Sequence, residues 1–254
     1  MTGKRAAIFG VANDHSIAWA IAQRFRAAGA ELALTYPNEA IEKRVRPLAA
    51  SIGVDLVLPC DVTDDGQIAA VFATLSERWG DGLDALVHSL AFAGRDDLKG
   101  RFVETSRQAF QLALDVSAYS LVALARAAEP LLAQRRGALV AMTYFGAEKV
   151  IPHYNVMGVA KAALESCVRY LAFDLGPAGI RVNAISAGPL RTLSSAGIRD
   201  FKSMLHHHEE RAPLHRNISA EEVAEAALFL CSSAASGITG EVLHVDAGYN
   251  VMGM

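Results

Sequence analysis

Short apolar runs typical of β-strands alternate with longer helical patterns along this 254-residue chain, and that alternation limits the folds it can adopt. Between the runs, apolar residues recur at helical spacing, as in Ile17, Ala20, Ile21 and Phe25. Seven strands separated by helices predict a parallel sheet with helices on both faces. The predicted strands are residues 5–9, 31–36, 55–59, 85–88, 138–143, 181–186 and 242–245.

The composition and continuity of the chain favour one domain. A hydrophobic fraction of 52% is enough for one large core. No linker, low-complexity tract or repeat interrupts the chain, so we predict a single doubly wound, Rossmann-type α/β domain over residues 1–254.

Residues 188–216 depart from the alternation, because they contain no predicted strand and only a short predicted helix at 193–205. Ligands bind beyond the carboxyl ends of strands in such sheets, so we expect this stretch to form a lid over substrate.

Charge and composition exclude several classes of partner. A formal net charge of -3 gives no basic surface for nucleic acid or for an anionic membrane. The N-terminal apolar run is too short for a signal peptide, and no apolar stretch approaches the roughly 20 residues of a membrane span. Cys60, Cys167 and Cys231 are scattered without metal-binding spacing, which indicates buried thiols in a reducing compartment. We therefore expect a soluble, cytoplasmic protein.

Three adjacent histidines, His206 to His208, raise the question of a metal site. Adjacent positions on a helix do not face one another, and no carboxylate–histidine pattern of metalloenzyme type accompanies them. A solvated face or a lid segment explains them better, and we predict no metal.

The turn after the first strand is a candidate phosphate site. Gly10 permits a tight turn with close approach of the backbone, and the N-terminus of the helix that follows favours phosphate. Ser16 either caps that helix or binds a phosphate oxygen. The segment is not G-x-G-x-x-G, and an ordinary strand-to-helix turn is the alternative. Its place in the first βα unit of an alternating chain favours a dinucleotide.

Three other strand ends carry candidate cofactor contacts. Asp61 and Val62 close the third strand, where a carboxylate and an N–H group meet an adenine edge, although Asp61 as a helix cap or turn residue is equally open. The small residues from Ser89 onward let the backbone approach a ribose or nicotinamide; plain packing at the sheet end is the alternative. After the sixth strand, the backbone of Leu190 and the hydroxyl of Thr192 are placed to hold a carboxamide and a pyrophosphate, unless this loop holds no ligand.

The second strand bears on the choice of coenzyme. No Arg or Lys occurs between Tyr36 and Lys43, so a 2′-phosphate has no obvious partner. This favours NADH over NADPH, even though the usual acidic residue at the strand's end is also absent.

Tyr154 and Lys161 stand seven residues apart, and Tyr144 lies ten residues before Tyr154. On one α-helix, Tyr154 and Lys161 would share a face about 10 Å apart along the axis. A phenol and an ammonium group so placed can serve one bound molecule as acid and anchor, and the cation can lower the phenol's pKa. The pair taken alone also fits two surface residues of an amphipathic helix.

These segments together resemble the divergent short-chain dehydrogenase/reductases, and specifically the bacterial NADH-dependent enoyl-(acyl-carrier-protein) reductases. The similarity runs from Gly3 to Gly248 and is most specific at 143–148, 154–161, 182–189 and 240–248. Ordinary members of the superfamily carry their tyrosine four residues before the lysine. Here that position is Met157 and the tyrosine stands three residues earlier, which separates enoyl reductases from carbonyl reductases.

The resemblance implies a role for each matching residue. Tyr154 would hydrogen-bond the thioester carbonyl and stabilise or protonate the enolate, Lys161 would hold the nicotinamide ribose, and Tyr144 would line the acyl pocket. Ala93 would touch the acyl substrate. The residues expected to contact NADH are Gly10, Ser16, Ile17, Asp61, Val62, Leu90, Leu190, Arg191, Thr192, Leu193 and Ser194, together with Ser89 from its position at a strand end.

The resemblance also implies an acyl carrier protein as partner and a homotetramer. Two long helical segments, 108–132 and 154–175, are too apolar to be freely solvated, which supports oligomerisation. The chain departs from the family at Pro37, where glutamine is frequent, at Ala91, where glycine is common, and at Thr143, where serine is typical. The alternatives are another short-chain reductase, acting on a 3-ketoacyl group or a small enone, and a catalytically silent dinucleotide-binding regulator.

Overall fold

A single parallel sheet organises the protein in the computed structural model, which describes residues 1–94, 96–192 and 201–253. Its strand order is β3-β2-β1-β4-β5-β6-β7, and every neighbouring pair is parallel. The Rossmann-type prediction is confirmed, and each strand end lies within one residue of its predicted position. The strands are β1 (Arg5–Phe9), β2 (Glu31–Tyr36), β3 (Leu56–Pro59), β4 (Ala85–His88), β5 (Ala138–Thr143), β6 (Arg181–Ala187) and β7 (Val242–Val245).

Helices cover both faces of the sheet. Side chains of successive strand residues point to opposite faces, so Ala6 and Ile8 belong to one apolar core and Ala7 and Phe9 to the other. Helices α1, α2 and α8 pack on the first face, and α3, α5 and α6 on the second. The helices are α1 (Ile17–Ala27), α2 (Glu39–Ser51), α3 (Asp65–Arg78), α4 (Arg107–Leu114), α5 (Ser120–Arg135), α6 (Val156–Leu175), α7 (Phe201–Arg211) and α8 (Ala220–Leu230).

Short polar side chains determine where several helices begin. Asn38 accepts a hydrogen bond from the Ile41 N–H at the start of α2, and Asp64 accepts from Gly66 and Gln67 at the start of α3. Ser219 and Glu222 form a reciprocal capping box at the start of α8. These caps satisfy backbone donors that a helix leaves free at its first turn.

The helices differ from the sequence predictions at three places. Helix α6 begins at Val156, so Tyr154 lies in the preceding turn rather than in the helix. The helix predicted at 108–132 is longer in the structure, where the helical segment runs from Arg107 to Arg135. Within it a π-helical turn, Asp115–Tyr119, joins α4 and α5. The lid helix described by the structure is α7, which runs six residues past the predicted end at Leu205, while residues 193–200 lie outside the described part.

One described helical stretch contradicts the expectation about apolar length. Arg107–Arg135 is long and apolar enough to cross a membrane by length and composition alone. In the fold it carries core residues such as Leu121, Leu124 and Leu132, which are fully buried among α3 and α6. The core helix of a globular fold meets the same criterion.

Candidate active site

The carboxyl ends of β1 and β4 form a floor made of backbone. Gly10 follows β1 and has a φ of 109°, a conformation that L side chains rarely adopt. A Cβ atom on Gly10 would overlap the carbonyl group of Ser89, the residue after β4. The predicted close approach of backbone is therefore present at the crevice where dinucleotides bind in open α/β sheets.

Ser16 holds the turn between β1 and α1 together. Its hydroxyl donates to the Asn13 carbonyl at 2.6 Å and lies 3.4 Å from the Ala12 N–H, and the side chain makes no capping bond to α1. Ser16 therefore occupies the N-cap position of α1, but its side chain stabilises the preceding turn and does not cap the helix. Ile17 is the first residue of α1, and the uncapped first-turn amides next to Gly10 fit an anion such as pyrophosphate.

Asp61 is placed by a local turn and does not cap a helix. Its carboxylate accepts from the N–H of Thr63 at 3.0 Å and from the Thr63 hydroxyl at 2.8 Å, whereas Asp64 caps α3. Of the alternative given for Asp61, the helix cap is wrong and the turn residue is confirmed. Val62 is buried beside it in the second core, and the adenine contact of both residues stays a prediction.

Tyr144 and Tyr154 form an aromatic pair just beyond β5. Their ring centroids are 5.0 Å apart with an interplanar angle of 74°, an edge-to-face contact. A Cβ on Gly146 would come within 2.5 Å of Tyr154 Cδ1 and 3.2 Å of Tyr144 Cδ1, and one on Gly158 within 2.8 Å of the Gly146 carbonyl oxygen. The absence of side chains at these two glycines leaves the space that both rings occupy. Neither glycine is among the predicted site residues, although each lies inside a family motif.

The turn before α6 positions Tyr154. His153 and Asn155 on either side of it have positive φ values of 65° and 42°, which are uncommon for residues other than glycine and mark functional sites when the surroundings maintain them. The argument that Tyr154 and Lys161 share a face of one helix is wrong. The aromatic pair and the glycines hold the phenol, and α6 holds Lys161.

Lys161 is buried with its ammonium group among backbone carbonyls. Nζ donates to the Met142 carbonyl at 2.7 Å and to the Leu90 carbonyl at 3.4 Å. Burial lowers the pKa of Lys161 to about 8, and the nearby Glu165 opposes that change. These bonds bring Lys161 to the ends of β4 and β5, beside the backbone floor at Gly10.

Both phenols remain protonated at neutral pH. Burial raises the pKa of Tyr154 well above its usual value, and Tyr144 and Glu165 raise it further. Burial also raises the pKa of Tyr144. We expected the Lys161 cation to lower the pKa of Tyr154, and that expectation is wrong because burial dominates. A neutral phenol is the form that donates a hydrogen bond or proton.

Tyr154 packs against a small apolar cluster. Ala91 and Ala93 pack with Leu98, Met157 and Tyr154 in one small cluster. The methyl group of Ala91, where the family commonly has glycine, therefore lies in the same cluster as Tyr154. Ala93 occupies the place expected of a residue that touches an acyl substrate, and that role stays a prediction.

Helix α7 lies between two cavities. One, of about 460 Å³, adjoins Tyr144, Phe145, Pro189, Met204 and His208. The other, of about 580 Å³, adjoins Leu190, Arg191, Lys202 and His206. The Tyr144 hydroxyl lies 3.4 Å from Met204 Sδ, so α7 also contacts the aromatic pair.

The remaining predicted site residues either follow β6 beside the second cavity or lie outside the described residues. Leu190 packs against the first core and lines the second cavity with Arg191. Thr192 follows them, whereas Leu193 and Ser194 lie outside the described residues. Of the three histidines, His206 lies 3.1 Å from Glu210, whereas His207 meets the Tyr249 ring edge-on and buried His208 stacks on it.

Fold and site together define a short-chain dehydrogenase/reductase: a Rossmann-type sheet, a backbone floor after β1, and a tyrosine and a lysine at the ends of β4 and β5. A family model described as enoyl-(acyl carrier protein) reductase matches residues 10–250. The chain belongs to that family.

Individual members of the family are similar to this chain over its whole length. Enoyl-(acyl-carrier-protein) reductase (NADH) 1 of Rhizobium meliloti is 54% identical over 254 residues, covering 100% of this chain and 93% of the relative. The crystal structure of the reductase from Anaplasma phagocytophilum in complex with NAD has a TM-score of 0.95 at 52% identity, covering 100% of this chain and 96% of that one. The Bacillus cereus reductase, solved with NADP+ and an indole naphthyridinone, has a TM-score of 0.97 at 52% identity, covering 100% and 98%.

Proposed function

We propose that this chain reduces the C=C bond of a trans-2-enoyl thioester with NADH, and that the thioester is carried by an acyl carrier protein in fatty acid elongation. The observation that carries the proposal is the Tyr144–Tyr154 pair. It packs against Gly146 at the carboxyl end of the sheet, where the Lys161 ammonium group also lies. The enzyme class and coenzyme agree with the family to which the chain belongs.

The backbone of Gly10 and Ser89 would hold NADH, which would supply the hydride for the β-carbon when bound. Negative charge then develops on the thioester oxygen, and Tyr154 donates its hydrogen bond or proton to that oxygen. The carbonyl then re-forms as the α-carbon takes a proton from water, any proton donated by Tyr154 returns to it, and the saturated thioester and NAD+ remain. A donor aimed at a developing oxyanion contributes about 3–4 kcal/mol, or roughly 10²–10³ in rate.

The position of the phenol separates this reaction from carbonyl reduction. In a carbonyl reductase the attacked carbon bears the oxygen directly, so the acid lies close to the ribose anchor. In an enoyl thioester the oxygen lies two atoms further along, which requires a more distant acid. Met157 occupies the nearer position here and is 5% exposed in an apolar cluster, so no acid is present there.

A thioester assay tests the proposal. Crotonyl thioester and NADH, followed at the NADH absorbance, should show turnover, and NADPH should be the poorer coenzyme. Turnover of a 3-ketoacyl thioester with none of the crotonyl thioester would identify a ketoreductase instead. NADH binding without turnover of either substrate would identify a silent regulator.

We propose further that residues 188–216 act as a lid whose described helix is α7. Cavities on both sides leave α7 with little packing of its own, which suits an element that moves when substrate enters. Hydrogen exchange of α7 should slow when NADH and a substrate analogue bind. Equal exchange with and without ligand would contradict the lid.

We propose a cytoplasmic homotetramer as the working form. Tyr170 and Phe173 on α6 are 72% and 81% exposed. Phe110 on α4 and Tyr119 in the π-helical turn are also exposed. An exposed apolar face of this kind marks a surface that another copy covers.

A further inference from the structure

Glu165 is a buried acid that the proposed chemistry leaves without a task. It lies one helical turn after Lys161 on α6, at the i,i+4 spacing that places two side chains on one face. Lys161 and Glu165 are 5% and 7% exposed. Acidic side chains are rarely buried to that degree unless a partner group compensates them.

The end of β5 holds both side chains. The Met142 carbonyl accepts from Lys161 Nζ at 2.7 Å, and the hydroxyl of the next residue, Thr143, donates to Glu165 Oε1 at 2.7 Å. Two consecutive residues of one strand therefore fix the ammonium group and the carboxylate. Because the Thr143 hydroxyl donates, its bond favours the ionised form of Glu165.

Other charged groups face Glu165 from three elements. Arg169 lies one turn further along α6, His244 lies on β7, and Glu148 follows the short turn after β5 and bonds His244 at 2.9 Å. Burial raises the pKa of Glu165, and Glu148 adds to that rise, whereas Thr143, Arg169 and His244 lower it. Facing Lys161 itself is buried His88 on β4, whose pKa is lowered to about 3 by burial and by the Lys161 charge, so this imidazole is neutral at every pH used below.

We propose that Glu165 is a positioning residue: its buried carboxylate is the counter-charge that keeps Lys161 in the ammonium form needed to hold the coenzyme ribose. This inference rests on the proposed anchor role of Lys161. Burial alone favours the neutral amine, which retains fewer donors for the ribose hydroxyls and for the Met142 carbonyl. A nearby negative charge shifts that balance toward the cation.

Neutralising Glu165 should therefore move the pH dependence of NADH binding. Glu165→Gln keeps the size of the side chain and an oxygen that accepts from Thr143, but removes the charge. The pKa of Lys161, already lowered to about 8, should fall further, by about one unit. NADH should then bind about fivefold more weakly than to the wild type at about pH 8 and equally well at about pH 6, where Lys161 is protonated in both.

The experiment is an NADH fluorescence titration across about pH 6 to 9. Wild type, Glu165→Gln, Glu165→Asp and Glu148→Gln should be compared after circular dichroism confirms folding. Glu165→Asp retains the charge and should keep the wild-type profile even if it weakens the bond to Thr143. Glu148→Gln neutralises an exposed acid of the same cluster and should also follow the wild type.

A Glu165→Gln profile that coincides with the wild type would overturn the inference, as would weaker binding by the same factor at every pH. Failure of the proposed function appears separately, as wild-type protein that binds NADH but leaves crotonyl thioester unreduced. Wild-type binding with no loss at high pH would contradict both the anchor role of Lys161 and the counter-charge.

Discussion

Tyr154 is held by its surroundings in the form that the reaction requires. Burial and the neighbouring Tyr144 and Glu165 keep its pKa high, so the hydroxyl retains its proton at any pH near neutrality. The edge-to-face contact with Tyr144 and the seat on Gly146 fix the ring. The residue type was evident from the sequence, but its position was not, because a turn with two positive φ angles leaves no simple periodic signal.

Tyr154→Phe tests the phenol alone. The ring and its packing remain while the donor is lost, so kcat should fall roughly 10²–10³-fold, with the Kd for NADH unchanged. Lys161→Ala should give the opposite pattern, a weakened Kd measured by the same titration. An unchanged rate in Tyr154→Phe would remove this residue from the mechanism.

Gly146→Ala tests the seat of the aromatic pair. A methyl group there meets the Tyr154 ring at 2.5 Å, so the ring must move. We expect kcat to fall at least tenfold, as for a catalytic group displaced by about 1 Å. Gly176→Ala is the matched control, because a Cβ at Gly176 meets nothing within 4 Å. Equal kinetics in the two variants would show that the glycine seat is dispensable.

Glu42→Gln tests why NADH is preferred. Arg46, on the helix after β2, is bound by the Glu42 carboxylate at 2.6 Å and lies 5.5 Å from the Tyr36 ring centroid. Glu42, in the first turn of α2, therefore holds this arginine close to the end of β2, where folds of this class bind the adenosine ribose. Releasing it should raise kcat/KM with NADPH relative to NADH several-fold, while Glu39→Gln at the start of the same helix should not. An unchanged ratio would show that Arg46 does not reach a 2′-phosphate.

At the scale of elements, strands were predictable and helix starts were less so. The strands of a buried parallel sheet are continuous apolar runs, which have clear ends. The start of α6 depends on the Tyr154 turn, and the π-helical turn between α4 and α5 depends on packing, neither of which apolar spacing records. Ser16 and Asp61 show the same limit, because a serine or aspartate near a helix start has several possible acceptors and donors within three residues.

The cap of α8 gives a measurable contribution at this scale. Ser219→Ala removes the hydroxyl half of the capping box and should lower the unfolding free energy by about 1 kcal/mol. Ser236→Ala, in the turn after the same helix, serves as a control. Urea unfolding at neutral pH measures both, and an equal loss in the two variants would contradict the capping role.

Glu222, the acidic residue of that capping box, should make the free energy of unfolding depend on pH in the acidic range. Hydrogen bonds from Arg216 and from the Ser219 N–H lower its pKa to about 2, from 4.5 in the unfolded chain. A lowered pKa means that its contribution is complete above pH 4.5 and is lost as the pH falls toward about 2. The difference in melting temperature between wild type and Glu222→Gln should therefore shrink over that range. A difference independent of pH would contradict it.

At the scale of the whole molecule, parallel strands bring distant segments to one rim. The residues after β1, β4, β5 and β6 are far apart in sequence, yet Gly10 meets Ser89, and Lys161 reaches Leu90 and Met142. The alternation of strands and helices predicts this convergence. It does not predict the positions of α7 and its cavities, because a long connection without a strand has no register against the sheet.

The proposed tetramer is tested on the same scale. Phe173→Glu places a charge on the exposed face of α6 and should shift the sedimentation coefficient toward smaller assemblies. Lys43→Glu, a charge change on α2 on the other face of the sheet, should leave the assembly intact. Identical sedimentation of wild type and Phe173→Glu would move the contact surface elsewhere.

The lack of room for a Cβ atom at Gly158, which would meet the Gly146 carbonyl oxygen, restricts how this enzyme can evolve. Any larger residue at either position disturbs the phenol, so selection cannot use these sites to accommodate a bulkier acyl chain. New chain-length preferences must instead arise where a methyl group can be gained or lost beside the ring, as at Ala91 and Ala93. Lineages adapting to different lipids should therefore diverge after β4 while the loop after β5 stays fixed.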